Sequence, residues 1–381
     1  MAYFDNNATT PLLPIAKEAF QNALETDWGN PSSPYRSSAQ LRASIQQCRE
    51  SIASSYGVEP AQIIFTSGAT EANNSVFCYL ARRAELSSRV LLSPFEHPSV
   101  TEAALYWFPD RVDFLNAQSD GTVSVDELAY YLKNNQKYSL VAVMGASNES
   151  GAIQPWRQIA QLCREHDVPY HCDSTQLPGK EDLNDLSLCS FNVASAHKFG
   201  GPKGIGWLIG KEVTSLIVGG EQEKGRRGGT ENYPAIISAR VAWESHMQKQ
   251  FDKSLLAGFR DNFEKQMENL FPGIMFLGKS SLRLWNTSLF IMPRFDNIAW
   301  VGKLDRLGYQ VSTGAACSTN KIGGSPIAIA LSLKPSDSKR LVRVSASQSH
   351  TPKDWDGLLR AFRQSEDELN KDFGASAVIS L

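Results

Sequence analysis

Ile63-Ile64-Phe65-Thr66-Ser67-Gly68-Ala69-Thr70-Glu71 runs from β-branched and aromatic residues, through a small-residue turn, into helical spacing that continues to about residue 83. A strand that turns straight into a helix is half of a βαβ unit. The pattern recurs outward from this stretch. Residues 89–93, 112–115, 140–144, 169–172, 191–194 and 206–209 read as strands, and 156–166 reads as a helix. This rhythm predicts an α/β fold with a mostly parallel central sheet covered on both faces. Such sheets place ligands beyond the carboxyl ends of their strands.

Past about residue 250 the rhythm changes. A charged amphipathic helix at 252–270 precedes short strands near 288–292, 310–313 and 341–345, and a last helix covers 353–371. These form a smaller α+β unit, so the expected organisation is a large domain over 15–250 and a small one made of 1–14 and 251–381. A chain of 381 residues is long enough for two cores. The tail from 374 is expected to fray.

The bulk numbers exclude several classes. The 38 basic and 40 acidic residues leave a net charge of −2, which gives no general attraction to nucleic acid. The apolar runs are too short to span a bilayer. Met1-Ala2-Tyr3-Phe4-Asp5 lacks the charged-then-apolar pattern of a secretory signal, so a cytoplasmic location is expected. The six cysteines form no CxxC and read as reduced thiols, and no metal site is expected.

Several residues with chemical potential fall just after the strands. Lys198 lies among glycines and small residues in Ser195-Ala196-His197-Lys198-Phe199-Gly200-Gly201, where desolvation would make its amine a nucleophile for an aldehyde. Asp173 closes a strand 25 residues earlier and could hold a ring nitrogen protonated. Ser67-Gly68-Ala69-Thr70 opens a helix in the manner of a phosphate site. His97 could stack on a flat ring, and the Asn148 amide could touch a cofactor oxygen. Each has a plain structural explanation when taken alone: a loop lysine, a capping aspartate, an ordinary turn, a surface histidine, a turn asparagine. Their shared position at the ends of one sheet is what points to a site.

These residues, with Phe4-Asp5-Asn6-Asn7-Ala8-Thr9-Thr10-Pro11, Ser147-Asn148-Glu149-Ser150-Gly151 and Arg227-Gly228-Gly229-Thr230-Glu231-Asn232, resemble the cysteine desulfurases of the NifS/IscS kind. Those are class V, fold-type I enzymes of pyridoxal 5'-phosphate (PLP). The resemblance implies that Lys198 carries the cofactor and moves the substrate Cα proton, and that Asp173 pairs with the pyridine nitrogen. It implies that His97 stacks on the ring and assists proton transfer as a catalytic residue, that Gln176 bonds the phenolic oxygen, and that Asn148 lies beside it near the substrate. Ala69, Thr70, Ser195 and His197 would bind phosphate, with Thr230 reaching across a homodimer interface. Cys317, in Thr313-Gly314-Ala315-Ala316-Cys317-Ser318-Thr319, matches the persulfide-forming cysteine. Its small, polar neighbours suggest a mobile loop. The implied reaction turns L-cysteine into L-alanine and passes sulfur to an acceptor protein, an iron–sulfur scaffold or a tRNA-thiolation carrier.

One block departs from the family pattern R-x-S-x-G-R-x-T. Here it reads Arg343-Val344-Ser345-Ala346-Ser347-Gln348-Ser349-His350, so Gln348 stands where an arginine would bind the substrate carboxylate. A guanidinium makes a bidentate, charge-assisted pair that an amide cannot. The exchange loses on the order of 1 kcal/mol or more, roughly tenfold in affinity, if nothing compensates. Arg36 is a candidate replacement cation. Gln348 also keeps open a diverged member acting on another substrate, such as a selenocysteine lyase.

Overall fold

The computed structural model describes residues 1–134, 137–248, 251–314 and 325–379. In chain order it contains β1 (Ala2–Tyr3), α1 (Pro14–Thr26), α2 (Arg36–Tyr56), β2 (Ile63–Thr66), α3 (Ala69–Ala81), β3 (Arg89–Leu92), α4 (Pro98–Trp107), β4 (Val112–Phe114), α5 (Val125–Lys133), β5 (Tyr138–Ala142), α6 (Trp156–Glu165), β6 (Tyr170–Asp173), β7 (Phe191–Ser195), β8 (Gly206–Gly210) and α7 (Tyr233–Gln248). Then follow α8 (Lys253–Leu270), β9 (Met275–Leu277), β10 (Thr287–Ile291), α9 (Asn297–Arg306), β11 (Tyr309–Gln310), α10 (Pro326–Ala330), α11 (Pro335–Ser338), β12 (Leu341–Ser345) and α12 (Pro352–Ile379).

The central sheet has seven strands in the order β2-β8-β7-β6-β5-β3-β4. All pairs are parallel except those of β8, which runs antiparallel to both β7 and β2. The cause is length: residues 196–205 cannot hold the crossover helix that a parallel return requires. Alternation sorts the strand residues onto two buried faces. Ile64, Val90, Leu92, Leu140, Val193 and Leu208 pack with Val76 and Phe77 of α3 and Val100 of α4. Phe65, Leu91, Val141, Cys172, Ala194 and Trp207 pack on the other face with Ile45 of α2, Ile159 of α6 and Trp243 of α7.

A second sheet, β12-β10-β9, is antiparallel. Phe290, Val342 and Val344 turn to Phe263 of α8, Trp300 of α9 and Phe362 of α12. Leu289, Ile291 and Leu341 turn the other way, onto the first core. Truncating a buried ring such as Phe290 to alanine costs about 3–5 kcal/mol. Where the sequence predicts fraying from 374, α12 continues to Ile379, since extending a formed helix needs no new nucleation.

The N-terminal segment connects the two sheets. β1 pairs in parallel with β11, and Asp5 bridges to Ser345. Farther on, Thr10 N donates to His197 O at 2.8 Å and Leu13 N donates to Gly200 O at 2.9 Å. Residues 6–9 are thereby laid across the turn that carries Lys198.

Candidate active site

The carboxyl ends of β2, β5, β6 and β7 open onto a cleft of about 480 Å3. Ala69, Thr70, His97, Asn148, Asp173, Gln176, Ser195, His197 and Lys198 all line it, with Ala8 and Thr9 from the N-terminal segment. Two other expected site residues do not. Thr230 is exposed and lines an adjoining pocket with Ser67 and Gly204. Gln348 lines a chamber on the far side of Lys198. Cys317 lies outside the described residues.

At one end of the cleft Gly68 caps α3, and no side chain caps the helix there. The first-turn N–H groups therefore face the cleft as unused donors. The close approach of β8 depends on Gly206, since a Cβ there would stand 2.3 Å from Ala194 O and 2.9 Å from Gly68 Cα. Glu71 Oε2 accepts from Ser67 N at 2.8 Å and Oε1 accepts from Arg227 Nε at 3.0 Å, which fixes the turn. Burial alone would raise the Glu71 pKa, but these bonds hold it below its ordinary value. His197 is pushed down to about 4 by burial and by the charges of Lys198 and Lys203, so at neutral pH it is uncharged.

At the other end Asp173 is buried. Its Oδ1 accepts from Thr175 N at 3.0 Å and its Oδ2 from Asn73 Nδ2 at 3.1 Å. Asn73 also links to His171, whose Nε2 lies 2.8 Å from Asn73 Oδ1. His171 is fully buried, and burial pushes its pKa down to about 4, so it is the neutral donor in this pair. Glu96 is driven well above the carboxylate range by burial and by the Asp173 charge, against the bond that its Oε1 accepts from Met144 N at 2.6 Å. Between them, His97 caps α4 and its Nδ1 accepts from Ser99 N at 3.1 Å, which leaves the proton on Nε2. Burial lowers its pKa too, so it presents a neutral ring.

Lys198 ends a single 3-10 turn after β7, and its Nζ donates to Asn7 O at 2.6 Å and Ala8 O at 2.9 Å. Asn7 is the hub of the neighbourhood. Its backbone carbonyl also accepts from Gln176 Nε2 at 3.1 Å, and its amide donates to Asn148 O at 3.1 Å and to Thr287 Oγ1 at 2.9 Å. Arg343 is buried and committed: Nη2 reaches Asp5 Oδ1 at 2.6 Å, and Nη1 donates to the carbonyls of Asn148 and Gly314, each at 3.0 Å. Arg36, the first residue of α2, is exposed and lines neither the cleft nor the chamber.

Over this geometry, the profile of the family described as "Aminotransferase class-V" matches residues 2–358. The chain belongs to the class-V aminotransferases. Among members of the family it is similar to the cysteine desulfurase IscS of Dictyoglomus turgidum, at 33% identity over 87% of this chain and 86% of that protein. The IscS of Clostridium botulinum (strain Hall) is 29% identical over 94% of this chain and 92% of its own length. Among solved structures, a NifS-like protein superposes with a TM-score of 0.87 at 28% identity, covering 95% of this chain and 98% of that one. SspA in complex with cysteine gives a TM-score of 0.79 at 26% identity, over 91% and 98% of the two chains. The class-V membership and the fold agree with the sequence reading.

Residue-by-residue reading missed part of the site. Asn73 sits inside α3, four residues after Ala69, and nothing in the linear order links it to Asp173. Lys180, on the wall of the chamber, has the letters of a surface turn. Asn7 could have been found, because it lies in the N-terminal block that carried the resemblance.

Proposed function

We propose that this chain is a PLP-dependent cysteine desulfurase that converts L-cysteine to L-alanine and leaves the substrate's sulfur on Cys317. The observation that carries the reading is the convergence, on one cleft, of a primary amine, a buried carboxylate and an uncapped helix N-terminus. These fit the cofactor's aldehyde, ring nitrogen and phosphate respectively. Bound PLP supplies an electron sink for the pair left when a proton leaves the substrate Cα.

The protein's part is positional and electrostatic. Asp173, fixed by Thr175 and Asn73, offers a carboxylate to a cationic nitrogen. Burial and the Asp173 charge raise the Glu96 pKa, which makes it the weaker candidate for that role. His97 gives a neutral ring face, and Lys198 Nζ takes up and returns a proton at Cα. The Cys317 thiolate then attacks the substrate sulfur. The Cβ–S bond breaks, an S–S bond forms, carbon is reduced to the alanine methyl group, and cysteine plus thiol becomes alanine plus persulfide.

Two features support Cys317. Both flanks of residues 315–324 are tied to the cleft rim: Arg343 joins Gly314 O to Asn148 O, and Glu149 accepts from Ser325 Oγ at 2.6 Å and Ile327 N at 2.8 Å. The other five cysteines are buried and free, and burial raises the thiols of Cys48 and Cys163 to about 11 and about 12. Thiols of that kind are poor nucleophiles.

We also take residues 15–250 as the unit that holds the cofactor, and 1–14 with 251–381 as the unit that brings the cysteine. The protein would act as a homodimer, with Thr230 completing the partner's phosphate site, and would hand its sulfur to an acceptor protein. Incubating the PLP-loaded protein with L-cysteine should give stoichiometric alanine. Mass spectrometry should then find an adduct of about 32 Da, one sulfur atom, on the Cys317 peptide. Alanine without that adduct would move the sulfur elsewhere, and no alanine would end the desulfurase reading.

A further inference from the structure

Lys180 is 6% exposed, yet among the described residues it meets no acid. Its Nζ donates to Gln176 Oε1 at 2.6 Å and to Asn7 Oδ1 at 3.3 Å, both neutral oxygens. Among the described residues no carboxylate lies within ion-pair distance of it. A buried ammonium without a counter-charge is costly, and the cost is relieved when an anion arrives. Burial, together with the charges of Lys198 and Arg343, pushes its pKa well below the lysine range, and an anion beside it would draw the pKa back up and restore the ammonium.

The amine lines a chamber of about 210 Å3 whose wall it shares with Lys198 and Gln348. The two amines also meet on one residue: Lys198 Nζ bonds the backbone carbonyl of Asn7, and Lys180 Nζ bonds its side-chain carbonyl. An α-amino acid entering with its nitrogen toward Lys198 carries its carboxylate two bonds from that nitrogen, and a carboxylate turned into the chamber meets the wall that Lys180 lines. Two other candidate cations are occupied or remote. Arg343 is neutralised by Asp5, and Arg36 is exposed. The Gln348 amide is already engaged elsewhere. Its Nε2 donates to Gly179 O at 3.0 Å and so pins the turn that presents Lys180.

We infer that Lys180 anchors the carboxylate of the amino-acid substrate, and that Gln348 serves it by holding the Gly179–Lys180 turn. This deepens the desulfurase reading and rests on it. The mode is a single buried point charge instead of a bidentate fork.

The test uses the PLP-loaded enzyme, with KM for L-cysteine from alanine release and Kd for L-alanine from titration calorimetry. Lys180→Met should weaken both by about tenfold or more, the loss of a charge-assisted bond, with a smaller change in kcat. Gln348→Arg added to Lys180→Met should recover most of that loss by returning a cation to the same chamber. A lysine that merely orients Gln176 would lower kcat and leave KM and Kd in place, and that result overturns the inference. So does a double variant that folds and recovers nothing. Should Lys180→Met fail to fold, Lys180→Arg keeps the charge and should hold Kd within about threefold; a tenfold loss there with normal melting would count against a carboxylate anchor. If the wild-type protein makes no alanine at all, the desulfurase reading fails before this one is reached.

Discussion

Two cavities meet at Lys198, and they are built differently. The cleft of about 480 Å3 is made by turns that directly follow strands of one sheet. The chamber of about 210 Å3 is made by pieces far apart in the chain: residues 6–13, 178–180, 198–200, His246, Trp285 and 346–349. The cleft is a product of local strand–turn–helix order and follows from the fold. The chamber exists only once the N-terminal segment, α7 and the second sheet have closed around the lysine. On the proposed reading, cofactor chemistry belongs to the first, and recognition of the substrate's carboxylate belongs to the second.

The sharpest test of that division removes a charge from the cleft side. Asp173→Ala strips the cleft of its buried carboxylate. Alanine formation should fall on the order of 100-fold or more, the scale of losing a preorganised electrostatic partner in a water-poor site. A loss in KM alone would place Asp173 with the chamber.

Protonation gives a second, intermediate effect on the cleft side. His171 and His197 are both held at about 4, against about 6.5 in an unfolded chain. Between those values the unfolded state binds more protons than the folded one. Their contribution to stability is therefore complete above about 6.5 and is lost as pH falls toward 4. His171→Gln should flatten this slope, by on the order of 2 kcal/mol between about pH 7 and 4.5, as read from urea midpoints. An unchanged slope would mean that His171 is not the buried neutral group described.

The smallest effect is expected where the family pattern is broken. Gln348→Arg on its own should improve kcat/KM for L-cysteine by no more than about threefold, because Lys180 already supplies the cation and a second adds little. A gain of tenfold would return the anchor to position 348.

The sequence was most legible where geometry is local. The strand ends carrying Asp173, Lys198 and the Ser67-Gly68-Ala69 turn could be read directly, because each site residue follows an apolar run. The antiparallel course of β8 could be read only from the shortness of 196–205. Lys180 was hidden because burial is a tertiary property: Gln176-Leu177-Pro178-Gly179-Lys180 has the letters of a solvated turn, and nothing local shows that Asn7 and Gln348 close over it. Gln348 is visible in the sequence as an anomaly, and the cation nearest in kind, Arg36, is exposed and lines neither cavity. Asn73 was hidden for the same reason as Lys180, since its partners His171 and Asp173 lie about a hundred residues away.

The most direct measurement is chemical. The protein, loaded with PLP and reduced with borohydride, should be digested and its labelled peptide sequenced. One phosphopyridoxyl group per chain is expected, on Lys198, within Ala196-His197-Lys198-Phe199. A label on Lys180 or Lys203, or a protein that takes up no label, would contradict the assignment of Lys198 as the cofactor lysine.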